Sequence, residues 1–448
     1  MEAIIVILAV TIVLVFRYIW DGVSFPRKLA KLNAAFERSD FETVLNEINT
    51  LSKDRKKLPP VQWLLARVYF QQSQFIMAMV HLNEIVNANA YSREIPAIDV
   101  HTMLASIYER TGKPKKAVEE YEEIIKLDQS NVTAFTKTGT YYYTNNDYEK
   151  AAPYLEKSLA LDENNAEILY MLAVISTARK DNESALRYAE SCLVIDPNYN
   201  KAVVLRGRLL YSLKRNDEAK KDLLTAYNIS ECKMDAAIFL GRMASEEGDA
   251  ESAYRFFSDG LTLNNNTDED TMHARYEFAI LLGTMKRLQE SLEQFRIIRN
   301  ARMTMLDVED RIETYSKILS NPALRDVAHA DIADYLDETL YKILSKSGYA
   351  VIENKEVSSG RIFFVTLKKI GGGMQAYRTS FALDTSLNVI GVDDIHEFND
   401  YIKDKRAHNS FYFSLGGFEP NVRASLPAPI ELFDADKFEQ VISGKLSI

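Results

Sequence analysis

The sequence predicts a mainly α protein: a solenoid of helical hairpins, preceded by one membrane-spanning helix and followed by a small α/β domain. Three observations predict this. A 34-residue period of small and apolar residues runs through more than half of the 448-residue chain. A continuous apolar run fills residues 3–16. After about residue 330 the helical period gives way to short β-rich runs punctuated by glycine. The expected organisation is an anchor and flank over 1–24, about eight hairpins over 25–300, a linker over 301–329 and an α/β domain over 330–448.

The first element is the apolar run AIIVILAVTIVLVF, which continues through Arg17-Tyr18-Ile19-Trp20. About 18 residues at 1.5 Å each reach roughly 27 Å, enough to cross a bilayer core when Arg17 snorkels outward. Tyr18 and Trp20 suit an interfacial aromatic belt. The Met1-Glu2 start and the Arg-Tyr-Ile-Trp exit do not fit a cleavable signal peptide. Residues 3–20 are therefore expected to hold the chain in a bacterial inner membrane as a single-pass anchor. Arg17, Arg27, Lys28 and Lys31 follow the span against Asp21 alone, which places the bulk of the chain in the cytoplasm by the positive-inside rule. The opposite topology, with the bulk in the periplasm, is the alternative.

The period is carried by Ala78, Ala117, Ala151, Ala185, Ala219 and Ala253; after a first step of 39 residues, each lies 34 beyond the last. Twelve residues before them stand Ala66, Ala105, Gly139, Ala173, Gly207 and Gly241. Four residues after them stand Leu82, Tyr121, Leu155, Ala189, Leu223 and Phe257, with Ala189 a departure. Weaker units flank the series, around Ala35, Phe41, Val44 and Ile48 and around Phe278, Ala279, Leu282, Ser291 and Phe295. Small residues at this spacing let two short antiparallel helices approach closely, the pattern that resembles tetratricopeptide repeats. Residues 264–272 (NNNTDEDTM) lengthen one spacing and read as a solvated acidic loop.

With each signature alanine set at repeat position 20, positions 5, 9 and 12 share one stripe of the first helix and are expected to face the concave groove. Trp63, Arg67, Phe70, Tyr143, Tyr170, Arg208, Tyr211 and Arg242 are the candidate partner-binding residues, with Thr136, Thr140, Val204 and Ile238 on the same stripe. Arginine at position 9 beside aromatics could clamp carboxylates and stack on the apolar side chains of a bound peptide. It could equally solvate an exposed wall or contact this chain's own C-terminal part. The Lys/Asn pattern that grips a C-terminal carboxylate is not present.

The C-terminal region reads as a helix over Ala330–Ser347, strands over Tyr349–Glu353, Arg361–Lys369 and Tyr377–Asp384, and a helix over Asp393–Lys405. A strand over Ser410–Leu415, a short helical piece over Pro420–Ser425, a strand over Ile430–Phe433 and a helix over Asp436–Ser443 complete it. The order α-β-β-β-α-β implies a mixed sheet flanked by helices. Ser347-Gly348-Tyr349-Ala350-Val351, Val392–Phe398, Phe413-Ser414-Leu415-Gly416-Gly417-Phe418 and Pro429-Ile430-Glu431-Leu432-Phe433-Asp434-Ala435 resemble stretches of the Mrr-like branch of the restriction-endonuclease-like fold. That resemblance implies a metal-dependent nuclease site with an acid entering the second strand and an acid-x-Lys sequence on the third. Here Ser359-Gly360-Arg361 stands where the acid belongs, and Phe381-Ala382-Leu383-Asp384 carries no lysine. The catalytic set is missing, so no catalytic residue and no metal ligand is expected.

Composition agrees. The net charge of −10, with acidic residues in excess in the C-terminal region too, opposes nucleic-acid binding. Cys192 and Cys232 lack metal-ligand spacing, as do the six histidines, and no cofactor motif is present. The Gly371-Gly372-Gly373 turn joins two strands, which is the wrong context for a phosphate loop. The function expected is that of a non-enzymatic, membrane-anchored scaffold that binds protein partners through its repeat groove and an inactive C-terminal domain. A periplasm-facing part of an envelope assembly, such as a flagellar-motor collar, is one alternative. A nucleic-acid-binding or nuclease role of the C-terminal domain is the other.

Overall fold

The computed structural model describes residues 24–262, 266–302, 307–358, 360–369, 376–426 and 430–446. The chain divides into two compact units, one ending at Leu205 and one beginning at Arg206.

The first unit contains five antiparallel helix pairs among its described residues: 24–37 with Phe41–Asn49, Pro59–Gln71 with Phe75–Asn87, Ala97–Arg110 with Pro114–Leu127, Val132–Thr144 with Tyr148–Leu161, and Ala166–Ala178 with Asn182–Ile195. The signature alanines Ala78, Ala117, Ala151 and Ala185 are at most 2% exposed. Gly139 shows why small residues recur: a Cβ there would stand 2.7 Å from Leu155 Cγ, the large residue 16 positions on. Three of the turns, those at Ser39-Asp40, Asn146-Asp147 and Lys180-Asp181, use the same device. Asn146 and Lys180 adopt left-handed φ of 59° and 61° to end the first helix, and the next residue, Asp147 or Asp181, caps the second by accepting from Lys150 N or Ser184 N.

The 39-residue first step also has a structural cause. The extra residues form a turn closed by an antiparallel bridge between Ser92 and Ile95. The Tyr91 hydroxyl lies 3.1 Å from His101 Nε2, and His101 Nδ1 lies 2.7 Å from Glu120 Oε2, which ties the insertion to the following hairpin.

Helix Asn200–Ser212 runs through the boundary into the second unit and pairs with Asn216–Tyr227. Lys233–Glu246 with Ala250–Leu261 and Glu269–Thr284 with Leu288–Asn300 follow. Two further helices, Val308–Ser320 and Pro322–His329, occupy the stretch expected to be a linker. The next helix is continuous over residues 332–346 but widens to a π turn at Leu336–Leu340.

Five strands complete the unit: β1 (Tyr349–Ser358), β2 (Arg361–Lys369), β3 (Ala376–Asp384), β4 (Asn409–Ser414) and β5 (Ile430–Phe433). They form one sheet in the order β1-β2-β3-β4-β5, antiparallel from β1 to β3 and parallel from β3 to β5. The parallel step from β3 to β4 is made by helix Val392–Lys405. Side chains alternate across the sheet. One face (Phe364, Phe381, Phe411, Phe413, Phe433) belongs to a core that also contains Phe295, Tyr315, Leu324 and Val327 of the helical part. The other face (Phe363, Ala382, Tyr412) packs on Ile395, Phe398 and Ile402. Lys286 Nζ also donates to Ala330 O at 2.5 Å, and Lys317 pairs with Asp436.

No helix among the described residues is long and apolar enough to cross a membrane. The longest, Glu269–Thr284, has 16 residues, a length of roughly 24 Å, and it carries charged residues along its course. The expected placement as a single-pass inner-membrane protein, and with it the assignment of the bulk to cytoplasm or periplasm, is corrected accordingly. Residues 3–20, on which the span was read, lie outside the described residues.

Candidate functional site

The eight residues predicted to face a partner fall into separate groups. In the first unit, Trp63, Arg67 and Phe70 lie on helix Pro59–Gln71, and each is partly buried. Arg67 turns toward the preceding hairpin, its guanidinium 3.9 Å from the Phe36 ring and 2.8 Å from Glu37 Oε1. Phe70 turns the other way, 6.0 Å from Phe75 with the Arg110 guanidinium 5.5 Å above it. Trp63 packs on the core around Ala66 and Leu82.

Tyr143 and Tyr170 extend this aromatic character. Tyr143 sits 5.8 Å from Tyr148, and Tyr170 sits 5.2 Å from Tyr199. Burial pushes the Tyr143 phenol up to about 12, and the neighbouring Tyr170 and Tyr148 add to it. Its hydroxyl therefore stays protonated and can donate at any physiological pH.

In the second unit, Arg208, Tyr211 and Arg242 converge on one ring, Phe239. The Arg208 and Arg242 guanidinium carbons lie 4.8 and 5.0 Å from its centroid, and Tyr211 meets it edge-on at 6.1 Å. Carboxylates from the following helices complete the cluster. Arg242 Nε donates to Glu277 Oε2 at 2.7 Å, and the Tyr211 hydroxyl donates to Glu246 Oε1 at 2.6 Å. Arg208 meets Asp270 Oδ2 at the looser distance of 3.5 Å.

Phe239, Phe36 and the paired carboxylates escaped the sequence reading. The signal was available in the spacing: Glu246 and Glu277 each lie 35 residues beyond their partner, about one repeat. Two stripe residues do not belong to the surface at all. Val204 and Ile238, at position 5, are only 5% and 7% exposed. Position 5 carries a branched apolar side chain in both repeats, and burial is where such a side chain gains most.

A second constellation lies in the sheet. Arg361, the first residue of β2, faces Asp384, the last residue of β3, through direct register. Its Nε donates to Asp384 Oδ2 at 2.5 Å and its Nη1 to Asp394 Oδ1 at 2.6 Å. Asp384 is fully buried and also accepts from Ser386 N and Oγ at 2.8 and 2.6 Å. Asp394 Oδ2 accepts from Gly391 N at 2.9 Å, at the start of helix Val392–Lys405. Burial works against the guanidinium charge, but Asp384 and the two hydrogen bonds outweigh it and raise the Arg361 pKa. Asp384, at the end of β3, is thus the buried arm of an ion triad with Arg361 and Asp394. Among the described residues no group of acids, histidines and cysteines could hold a metal ion.

Residues 26–205 match the family model described as the Tetratricopeptide repeat protein 21 C-terminal ARM domain. No curated protein matches the chain. Solved structures that match include the C-terminal part of a TPR repeat-containing protein from Cytophaga hutchinsonii, at 14% identity and TM-score 0.41, covering 55% of this chain and 98% of that one. The TPR protein YrrB matches at 21% identity and TM-score 0.36, covering 43% and 97%. The type IV pilus biogenesis factor PilW matches at 19% and 0.38, covering 48% and 97%. At such scores the likeness carries no functional weight. The family-model match and the helix pairing together support repeats of tetratricopeptide/ARM-like type.

Proposed function

We propose that the chain is a protein-interaction scaffold whose repeat helices bind partner segments through their aromatic and arginine side chains: Trp63, Arg67, Phe70, Tyr143 and Tyr170 in the first unit, and Arg208, Tyr211 and Arg242 in the second. The observation that carries this reading is the recurrence of position-9 arginines stacked on aromatic rings. Arg67 rests on Phe36, and Arg208 and Arg242 rest on Phe239. A guanidinium held over a ring has fewer directions open to its donors, which is the preorganisation a bidentate contact needs.

The C-terminal sheet is proposed to be a restriction-endonuclease-like fold without its catalytic residues. Its α-β-β-β-α-β order and mixed strand directions support the likeness. The placement of Arg361 supports the inactivity, because its guanidinium takes up the charge of Asp384 and Asp394 that a divalent cation would need.

The test is site-specific photo-crosslinking in cells at Tyr143 and Tyr211, followed by the triple change Arg67→Ala, Arg208→Ala and Arg242→Ala in the full chain. Crosslinked partners lost in the triple variant, at unchanged helicity, are the expected outcome. Identical partner yields would assign these arginines to internal packing alone.

A further inference from the structure

The three position-9 arginines differ in how firmly this chain holds them. Arg242 is bound at 2.7 Å by Glu277, and its side chain is 18% exposed. Arg67 is bound at 2.8 Å by Glu37. Arg208 is met only at 3.5 Å by Asp270, whose side chain is 82% exposed and which lies beyond the intervening hairpin in sequence. A contact that long, made by a carboxylate surrounded by water, is weak and readily exchanged. Asp268 also feels the Arg208 charge while its side chain caps helix Glu269–Thr284 by accepting from Thr271 N. Asp268 and Asp270 belong to the acidic segment that reads from sequence as a solvated insertion.

We propose that Arg208 on Phe239 is a site for a carboxylate side chain of an acidic, aromatic-bearing partner segment, and that Asp270 occupies it in the unbound chain as an internal competitor. The proposal rests on the reading of the repeats as partner-binding and names the chemistry of one contact. Charge complementarity favours this occupant. Arg242 is neutralised by Glu277 and Glu246 is engaged by Tyr211, which leaves Arg208 and Lys214 as the cations beside the Phe239 and Tyr211 rings. The rings offer half-buried apolar surface to a residue next to the incoming carboxylate. Asp270 already demonstrates that a carboxylate fits within reach of the guanidinium without disturbing its stack on Phe239.

The test uses the full chain and a fluorescein-labelled peptide of alternating Glu and Phe, with a Gln/Phe peptide as its neutral counterpart, read by anisotropy. The Glu peptide is expected to bind more tightly. Asp270→Asn should strengthen it about 1.5- to five-fold, the span of a released surface ion pair. Arg208→Met, which keeps the aliphatic stem on Phe239, should erase the preference for Glu over Gln. In the Arg208→Met background, Asp270→Asn should change nothing. Equal affinity for both peptides, or an Asp270→Asn gain that persists without Arg208, overturns the proposal. Peptide binding that ignores Arg208 but is lost in Tyr211→Ala sinks the carboxylate assignment while leaving partner binding by the repeats in place.

Discussion

Replacing Arg361 with methionine removes the guanidinium that neutralises Asp384 and keeps a side chain of similar length in the space. Asp384 is then a fully buried carboxylate without a countercharge. Breaking one side of a buried ion pair costs about 3–5 kcal/mol. Ser386 continues to donate twice to Asp384 Oδ1, at 2.8 and 2.6 Å, so the loss should fall near the lower end, about 3 kcal/mol. Urea denaturation of the full chain, followed by tryptophan-independent circular dichroism, reads this as an earlier unfolding transition. The second change, Asp384→Asn, should recover most of the loss, since an amide oxygen still accepts from Ser386. A single variant within about 1 kcal/mol of the parent would refute the claim that Arg361 holds a buried charge in place.

Four further outcomes follow from the same geometry. Full-length protein should not cleave duplex DNA with Mg²⁺ or Mn²⁺, and metal-dependent cleavage lost in Asp384→Ala would reverse that. Gly207→Leu and Gly241→Leu should each lower the urea midpoint by an amount corresponding to roughly 1–3 kcal/mol, because a Cβ alone would stand 2.9 Å from Leu223 Cγ or Phe257 Cγ. The caps Asp181 and Asp249 are held below the ordinary 3.8 by the Ser184 and Ser252 side chains first and their backbone N–H groups second. Their stabilisation is therefore present above that value and lost as pH falls through the depressed folded values, so changing both to Asn should flatten the acid limb of helicity against pH. Burial pushes the Cys192 thiol up to about 11, and alkylation of the native protein near neutral pH should leave it unmodified until urea unfolds the chain.

The repeats were legible because their code is steric. A small residue at one position and a large one 16 later describe a single contact, repeated as Gly139–Leu155, Gly207–Leu223 and Gly241–Phe257. The strands of the sheet were legible for a related reason: apolar residues between turn residues mark β2 and β5, whose bounds match those expected. Electrostatic partners were not legible. The stripe singles out Arg208, Tyr211 and Arg242 but is silent on Phe239, Glu277 and Asp270, which meet them only once neighbouring repeats stack. The same limit hid Asp384. A strand-end aspartate is ordinarily a turn residue, and only the β2–β3 register brings Arg361 opposite it.

Residues 301–329 illustrate a different reason for illegibility. They fall outside the 34-residue period and carry few strong signals, so they read as a linker. In the fold, Val308, Ile312, Tyr315 and Ile318 from one helix and Leu324, Val327 and Ala328 from the next are all buried in one core. That core extends from Leu292 and Phe295 of the last hairpin to Phe381 and Phe438 of the sheet region. Gly283 even accommodates the Tyr315 hydroxyl, which would stand 2.6 Å from any Cβ placed there. A cut near residue 325 would strip one wall from the sheet's aromatic face and leave Leu324 and its neighbours without their partners. The hydrophobic effect makes such surface costly in proportion to its area, at roughly 25 cal/mol per Å². The sheet is therefore a continuation of the repeat stack, terminating its apolar face much as a capping repeat does.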